Sequence, residues 1–222
     1  MAVAVNYRRE RVAADEVAAA CRNDGVESVA IQADVSSETD VVSLFDRAAE
    51  MLGSVTILVN NAGVLEAQCR FAEMGPDRWR RVLDVNVVGA FLCAREAVRR
   101  MSTRDGGVGG SIVNVSSAAS YLGSPNEYID YAASKGAVDT MTIGLAKEVA
   151  TEGIRVNAVR PGVIHTDIHA SGGEPNRVER VAAGVPMQRG GDPEEVARLI
   201  LWLASAEASY VTGTLVNCSG GR

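Results

Sequence analysis

The sequence predicts a single α/β domain, a doubly wound parallel sheet with helices on both faces. Short apolar runs rich in Val and Ile alternate along the 222 residues with longer stretches of helical spacing, and this alternation is typical of strand–helix units in a parallel sheet. A chain of this length with 47% hydrophobic residues can bury one substantial core. We therefore expect three layers, α/β/α.

Six runs have the length and β-branched content of strands. Because most of them are apolar throughout, rather than alternating, we expect both faces of the sheet to be covered. The predicted strands are residues 2–6, 28–33, 55–60, 111–116, 154–159 and 213–217.

Five segments between these strands have helical spacing, at residues 9–24, 38–52, 76–101, 129–151 and 193–204. Gly25, Gly53 and Gly153 come directly after three of them and are suited to end a helix, since glycine adopts the left-handed conformation without strain. The glycine-rich run 106–110 comes after a helix and enters a strand. A phosphate-binding loop leads from a strand into a helix, so this run predicts a flexible turn instead.

Composition excludes several classes of function. The formal net charge is −6 with basic residues scattered along the chain, which does not favour nucleic acid as a partner. No run of 18 apolar residues and no secretory signal is visible in the sequence, so we expect no membrane span and a cytoplasmic location. Four cysteines are too widely spaced for a paired metal motif and predict free thiols: Cys21, Cys69, Cys93 and Cys218.

Tyr131 and Lys135 are the first candidates for chemistry. Four residues apart in a predicted helix, they project from the same face. A phenol is a poor base at neutral pH, but a nearby cation stabilises its phenolate and lowers its pKa, so the pair is suited to proton transfer. The alternative is a chance pair on a solvated helix face, and the spacing alone does not decide between the two.

Two further polar residues lie at informative places. Ser117 comes after the predicted strand 111–116, and ligands of parallel α/β sheets bind at the carboxyl ends of strands. Its hydroxyl is suited to polarise a carbonyl, with helix capping or loop solvation as the alternative. Asn86 lies inside the predicted helix 76–101, where a short amide is a poor helix former and indicates a kink or a water relay.

Together these motifs resemble the short-chain dehydrogenase/reductase family, of the type that includes 3-oxoacyl reductases and glucose dehydrogenases. The similarity covers the whole chain in order and spacing and implies a Rossmann-like fold. The motifs that carry it are Asn60-Asn61-Ala62-Gly63 after a strand, Asn86, Val113-Asn114-Val115-Ser116-Ser117, Tyr131-x-x-x-Lys135, and Pro161-Gly162 after another strand.

The resemblance implies a role for each catalytic residue. Tyr131 would be the general acid/base, Lys135 would lower its pKa and bind the nicotinamide ribose, Ser117 would hold the substrate carbonyl, and Asn86 would anchor a water relay to Lys135. The reaction would be hydride transfer between a nicotinamide cofactor and a carbonyl or secondary alcohol.

The resemblance also implies the cofactor contacts. Asp34 and Val35 would flank the adenine, Asn60, Ala62 and Gly63 would line the dinucleotide and brace the sheet, and the stretch 161–166 would wrap the nicotinamide. Asn6 and Arg8 would lie at the adenosine ribose. From the stretch 161–166 the expected contacts are Pro161, Gly162, Ile164 and Thr166.

The choice of cofactor depends on the charge of the residues just after the strand 2–6. An acid there would bind the ribose 2′-hydroxyl, whereas basic residues accommodate a 2′-phosphate. Arg8 and Arg9 occupy this position, and no acid occurs before Glu10. We therefore expect NADP in preference to NAD; the alternative is that the two arginines merely solvate a helix start, where cations are poorly placed.

The family's first strand and its glycine-rich turn would precede residue 2. We expect a longer upstream reading frame to carry them. That strand would lie at the centre of the sheet, so its two neighbours would otherwise have unpaired backbone groups.

The substrate is expected to be a small carbonyl or alcohol compound. The regions 123–130 and 165–185 should line and cover the pocket, with Tyr128 and His165 as contacts beside Ser117 and Tyr131. His165 and His169 lack a third ligand, so no metal is expected. The family resemblance implies a homo-oligomer, a tetramer or dimer. The rival to an active enzyme is a catalytically silent chain that cannot bind cofactor.

Overall fold

The computed structural model describes residues 2–222. All six predicted strands are found in it, to within two residues at either end, and all pair in parallel. They are β1 (Val3–Tyr7), β2 (Ser28–Gln32), β3 (Ile57–Asn60), β4 (Gly110–Val115), β5 (Ile154–Pro161) and β6 (Leu215–Cys218).

The strands form two sheets rather than the single sheet predicted. β1 pairs with β2, with Val3 opposite Ser28, and the other four strands lie in the order β3-β4-β5-β6. Within residues 2–222, β1 and β3 therefore each have one edge without a strand partner. Backbone N–H and C=O groups along those edges are left without ladder hydrogen bonds.

Helices cover both faces of the four-stranded sheet, which confirms the three-layer α/β class. They are α1 (Arg11–Asn23), α2 (Glu38–Leu52), α3 (Pro76–Leu83), α4 (Ala90–Met101), α5 (Ala119–Leu122), α6 (Ile129–Val149), α7 (Ile168–Ser171), α8 (Arg177–Ala182) and α9 (Pro193–Ala204). On one face α2, α4 and α6 pack with Ile112 and Val156 in a common core. On the other, α9 packs Val196 and Leu203 against Val113 and Val159.

The predicted helix 76–101 is interrupted. Between α3 and α4 the residues Asp84–Gly89 form a π-helical turn, and Asn86 lies within it. A π turn widens the helix locally, so the kink indicated by Asn86 is present. Gly89 ends the turn against Val35: a Cβ at this position would lie 2.9 Å from Val35 Cγ2. The turn therefore brings the end of β2 close to the helix pair.

Glycine has two kinds of role at the ends of elements. Gly25, Gly53 and Gly153 have φ values of +76°, +83° and +75°, which confirms them as helix stops. The glycine-rich run 106–110 forms the predicted turn, but three of its glycines, Gly107, Gly109 and Gly110, are required by packing. A Cβ on Gly107 would lie 2.5 Å from the carbonyl of Met101, so this turn is closely packed rather than loose.

The regions predicted as loops over the pocket contain short helices. α5 precedes the loop 123–128, and α7 and α8 lie within 165–185. None of the helices in residues 2–222 has both the length and the apolar character needed to cross a bilayer.

Candidate active site

The candidate site lies at the carboxyl ends of β4 and β5, where parallel sheets present their ligand-binding edge. Ser117 comes two residues after β4, and Pro161 ends β5. Helix α6 passes this edge with Tyr131 and Lys135 in its first two turns. The structure therefore brings together Ser117, Tyr131 and Lys135, as predicted.

Lys135 is held by main-chain and aromatic contacts. Its Nζ donates to the carbonyl oxygen of Val115 at 2.8 Å and lies 5.6 Å from the centroid of the Tyr131 ring. The residue is only 4% exposed. Burial lowers the pKa of Lys135 to about 8, and the negative charge of Asp139 opposes that change. Lys135 is thus close to Tyr131, but only part of its ammonium is satisfied by this one bond.

The pKa of Tyr131 departs from the direction that we predicted. Burial raises the pKa of Tyr131 above its usual value, and a hydrogen bond with Ser117 opposes the rise. The prediction of a lowered pKa considered only the cation and neglected the cost of placing a phenolate in a site shielded from water. Burial therefore favours the neutral phenol form of Tyr131, and Ser117 lies beside it.

Asn86 braces the site rather than reaching Lys135. Its Oδ1 accepts from the N–H of Val64 at 2.8 Å, and its Nδ2 donates to the Val64 carbonyl at 3.0 Å and to Ser134 Oγ at 3.1 Å. Among the described residues it makes no direct hydrogen bond to Lys135. The amide fixes the segment after β3 to helix α6.

The turn after β3 approaches the same helix. Asn60 Nδ2 donates to the carbonyl of Ala90 at 2.9 Å and to Asn114 Oδ1 at 3.2 Å, which ties β3 to β4 and α4. Gly63 lies beside both side chains: a Cβ there would be in ordinary contact, 3.5 Å from both Asn86 Oδ1 and Lys135 Nζ. The backbone of this turn therefore lies next to the Lys135 ammonium and would adjoin a ligand bound there.

The predicted adenosine residues meet at the ends of β1 and β2. Arg8, Gln32, Asp34, Asp40 and Ser43 line a polar cavity of about 290 Å³. Arg8 Nε lies 2.6 Å from Asp34 Oδ2 in an ion pair. Burial acts to raise the pKa of Asp34, but hydrogen bonds from Ser36 and the Arg8 charge outweigh it, so that the pKa is lowered.

Asn6 and Val35 have structural contacts at this end. Asn6 Nδ2 donates across the β1–β2 pair to the carbonyl of Ala33 at 3.1 Å, and Val35 packs against Gly89. Both therefore fix the position of the segment just after β2.

The donors of this site fit a nicotinamide dinucleotide. The Lys135 ammonium has further protons to offer to ribose hydroxyls beyond its one bond to Val115, and Arg8 offers a guanidinium suited to a phosphate. Arg8 and Lys135 lie at the carboxyl ends of β1 and β4, with the Gly63 turn beside Lys135.

The segment 161–166 comes at the end of β5 as predicted. Gly162 is required by packing, since a Cβ would lie 2.7 Å from the Cα of Ser219. Ile164 is buried and pairs with Gly191 as an isolated bridge, while His165 and Thr166 are exposed. A cavity of about 400 Å³ adjoins Ile164.

A group of polar residues that the sequence did not reveal ties together the loops over the pocket. Arg177 on α8 binds both carboxylate oxygens of Glu127 at 2.8 and 2.6 Å and lies 5.2 Å above the Tyr128 ring. Gln68 donates to the Tyr128 hydroxyl at 2.9 Å and also to Glu174. We call these five residues the roof network.

The roof network covers the predicted substrate region. Tyr128 is 3% exposed, so its hydroxyl contacts Gln68 rather than open solvent. The members come from three segments far apart in sequence, and only the prediction that 123–130 and 165–185 cover the pocket pointed to them.

The two histidines do not form a metal site. His169 is buried, with Nε2 2.9 Å from the carbonyl oxygen of Ile164, whereas His165 is exposed. Within residues 2–222 no cluster of three His, Cys, Asp or Glu side chains is placed to hold a metal ion. All four cysteines are free thiols in the structure.

Known proteins are similar in sequence to this chain over nearly its whole length. A family model described as enoyl-(acyl carrier protein) reductase matches residues 1–222. The uncharacterized oxidoreductase YgfF of Escherichia coli strain K12 is 55% identical over 220 residues, which cover 99% of this chain and 89% of the relative.

Two relatives with named activities are more distant. Glucose 1-dehydrogenase 2 of Bacillus subtilis strain 168 is 38% identical over 221 residues, 100% of this chain and 84% of that protein. A 3beta-hydroxysteroid dehydrogenase 1 of Eggerthella lenta is 40% identical over 222 residues, 100% of this chain and 84% of that protein.

Proposed function

Because the chain belongs to the short-chain dehydrogenase/reductase family, a family of nicotinamide-dependent oxidoreductases, we propose that it is an NADP(H)-preferring enzyme acting on a carbonyl or secondary alcohol. Tyr131 is its general acid/base. The observation that carries this proposal is the grouping of Tyr131 and Ser117, both partly buried, with the buried Lys135 at the carboxyl end of β4.

The chain's own residues would manage the proton. In the direction of reduction, a nicotinamide cofactor would supply the hydride that the carbonyl carbon accepts. The Tyr131 hydroxyl gives its proton to the carbonyl oxygen, and the Ser117 hydroxyl donates a hydrogen bond to that same oxygen. The Lys135 ammonium, 5.6 Å from the ring centroid, stabilises the phenolate that remains. Oxidation of the alcohol reverses these steps.

The raised pKa of Tyr131 favours carbonyl reduction over alcohol oxidation as the reaction for which the substrate-free protein has the correct protonation state. A protonated phenol is the acid that carbonyl reduction needs, whereas alcohol oxidation needs the phenolate. Burial raises this pKa, so at neutral pH the resting protein holds the acid form. We expect oxidation to require a more alkaline medium than reduction.

NADP preference is supported by Arg8. It is the cation of the polar cavity at the ends of β1 and β2, and a guanidinium matches phosphate oxygens in pairs. Asp34 holds Arg8 at 2.6 Å, so a 2′-phosphate must share or replace that carboxylate. This competition predicts a moderate preference for NADP, with NAD still accepted.

The other cofactor contacts proposed are distributed along the same edge. Asp34, Val35 and Asn6 would flank the adenosine, and the turn Asn60, Ala62 and Gly63 would line the dinucleotide. Lys135 would bind the nicotinamide ribose. The segment after β5 would hold the nicotinamide through Pro161, Gly162, Ile164 and Thr166.

The substrate contacts proposed are Ser117, Tyr131, Tyr128 and His165. The named relatives act on glucose and on a 3β-hydroxysteroid, so a useful panel includes sugars, hydroxysteroids, simple ketones and 3-oxoacyl compounds. Consumption of NADPH identifies the compound class.

We also propose a cytoplasmic homo-oligomer, a tetramer or dimer. Large apolar side chains are exposed on α4 and α9, among them Phe91 at 47% and Leu201 at 59%, and association with a second copy would bury them. Light scattering coupled to gel filtration measures the mass directly.

The competing candidate is a folded but silent chain that cannot bind cofactor, and the unpaired edges of β1 and β3 favour it. Titration of the protein with NADPH and with NADH, monitored by tryptophan fluorescence, separates the two. We expect quenching by both, at lower concentration for NADPH, and loss of that preference in Arg8→Ala. No quenching by either cofactor would contradict the proposed enzyme.

A further inference from the structure

The catalytic helix carries a second buried charge that the proton-transfer scheme does not use. Asp139 lies four residues after Lys135 on α6 and is 5% exposed. Residues four apart on a helix lie on the same face, about 5–6 Å apart at Cβ. Tyr131, Lys135 and Asp139 thus form one continuous row on α6, running away from the substrate.

Arg160 holds the Asp139 carboxylate from the neighbouring strand. Its Nε and Nη2 lie 3.0 and 2.7 Å from Asp139 Oδ2, and its guanidinium stacks 5.3 Å above the Tyr121 ring. Both arginine bonds go to one oxygen, and the other, Oδ1, is buried without a hydrogen-bond partner in the described part of the chain. Burying a carboxylate with one oxygen that lacks a hydrogen bond lowers the stability of the fold. This cost suggests that the Asp139 carboxylate has a function.

The charged surroundings of Lys135 are few. On α6 they are Tyr131 and Asp139; from β4 comes the carbonyl of Val115, and from the π turn the neutral amide of Asn86. Asp139 is the one carboxylate whose charge acts on Lys135. An ammonium that is 4% exposed needs such a counter-charge to stay protonated.

We propose that Asp139 is a positioning residue that keeps Lys135 in its ammonium form from one helical turn away, and that Arg160 fixes the carboxylate for this purpose. The inference rests on the proposed function for its catalytic meaning, because only a charged Lys135 stabilises the Tyr131 phenolate. The effect of Asp139 on the charge of Lys135 is a property of the free protein and can be measured without turnover.

The chain offers an unusually clean probe of this charge. Of its 22 basic residues only Lys135 and Lys147 are lysines, and Lys147 lies exposed on the same helix. Selective ¹³C labelling of lysine at Cε therefore gives two NMR signals, and Lys147 serves as the internal reference. Titration of the cofactor-free protein measures the pKa of Lys135 directly.

We expect Asp139→Asn to lower the pKa of Lys135 by about one pH unit, the scale on which a nearby opposite charge acts on a desolvated group, while the pKa of Lys147 is unchanged. The matched control is Glu96→Gln, which removes another buried carboxylate that is also bound to arginines but lies on α4. It should leave the Lys135 titration where it was. If Asp139→Asn left it unchanged too, the inference would be wrong.

A second variant covers the case in which Asp139→Asn does not fold because Arg160 loses its partner. Asp139→Asn/Arg160→Gln removes both charges, and the Lys135 pKa should still fall, whereas an unchanged value contradicts the inference. In turnover, Asp139→Asn should lower kcat with little change in KM and move the alkaline limb of the pH profile to lower pH, and Asp139→Glu should restore part of both.

The two failures are distinguishable. If the wild-type chain consumes no NADPH with any substrate, the proposed function fails, and the Lys135 titration still decides the role of Asp139. If the wild type consumes NADPH but Asp139→Asn leaves the pKa of Lys135 unchanged, only the inference on Asp139 fails.

Discussion

The buried ion pair between Arg78 and Asp130 should be among the most sensitive points of the fold. Arg78 on α3 binds Asp130, the residue before Tyr131, at 2.6 and 3.0 Å, and the two side chains are 14% and 4% exposed. In Arg78→Met the Asp130 carboxylate keeps its burial and loses this partner. Breaking a buried pair in this way costs about 3–5 kcal/mol, a large part of a domain stability of about 5–15 kcal/mol.

Urea unfolding monitored by tryptophan fluorescence measures this loss. The double variant Arg78→Met/Asp130→Asn should recover most of it, because no unpaired buried charge remains. The pair joins α3 to the first turn of α6, so Arg78→Met should also lower turnover through a less ordered Tyr131. Loss of less than about 0.5 kcal/mol in Arg78→Met, a value typical of neutral surface changes, would refute this reasoning.

Three further predictions concern the loops around the site. Gly162→Ala should destabilise by about 1–3 kcal/mol, because its Cβ would meet the backbone after β6 at 2.7 Å. The control Gly144→Ala, with nothing within 4 Å, should be neutral or stabilising by up to about 1 kcal/mol; equal effects in thermal unfolding would be contrary to this. The pKa of Glu174 is lowered from 4.5 to about 2, and the largest cause is its hydrogen bond to Arg180 on α8. The ionised Glu174 therefore stabilises the fold fully above pH 4.5, and this stabilisation is lost as the pH falls toward 2. The stability difference between wild type and Glu174→Gln should shrink over that window in urea titrations, and a constant difference would argue against the roof network. Tyr128→Phe removes the acceptor of the 2.9 Å bond from Gln68, which should raise KM several-fold with a smaller change in kcat; an unchanged KM would exclude Tyr128 from the pocket.

Local patterns in the sequence were sufficient to predict the strands and the placement of Tyr131 and Lys135 on one face of a helix. Both depend on short-range periodicity, since a helix face is set by spacing and a strand by a run of apolar residues. The interruption of the predicted helix 76–101 at Asn86 was only partly predictable. The sequence indicated a kink, but a π turn depends on the side chains that pack against it, here Val35 on Gly89.

Features set by long-range packing were not predictable. The roof network joins Gln68 to Glu174, residues 106 positions apart, and no local pattern links them. The predicted direction of the Tyr131 pKa was wrong for the same reason, since burial is a property of the folded chain and acts to raise this pKa. The packing requirement at Gly162 was not foreseen either, because its neighbour Ser219 is distant in sequence.

The most direct test of Tyr131 as the proton donor is the turnover of Tyr131→Phe with NADPH and the best substrate of the panel. Tyr210→Phe is the matched control, because Tyr210 is fully exposed, and NADPH quenching verifies that each variant still binds cofactor. We expect Tyr131→Phe to bind NADPH while its kcat falls by about 100-fold or more, the usual contribution of a general acid. A Tyr131→Phe variant with kcat close to that of the wild type would contradict the assignment of Tyr131.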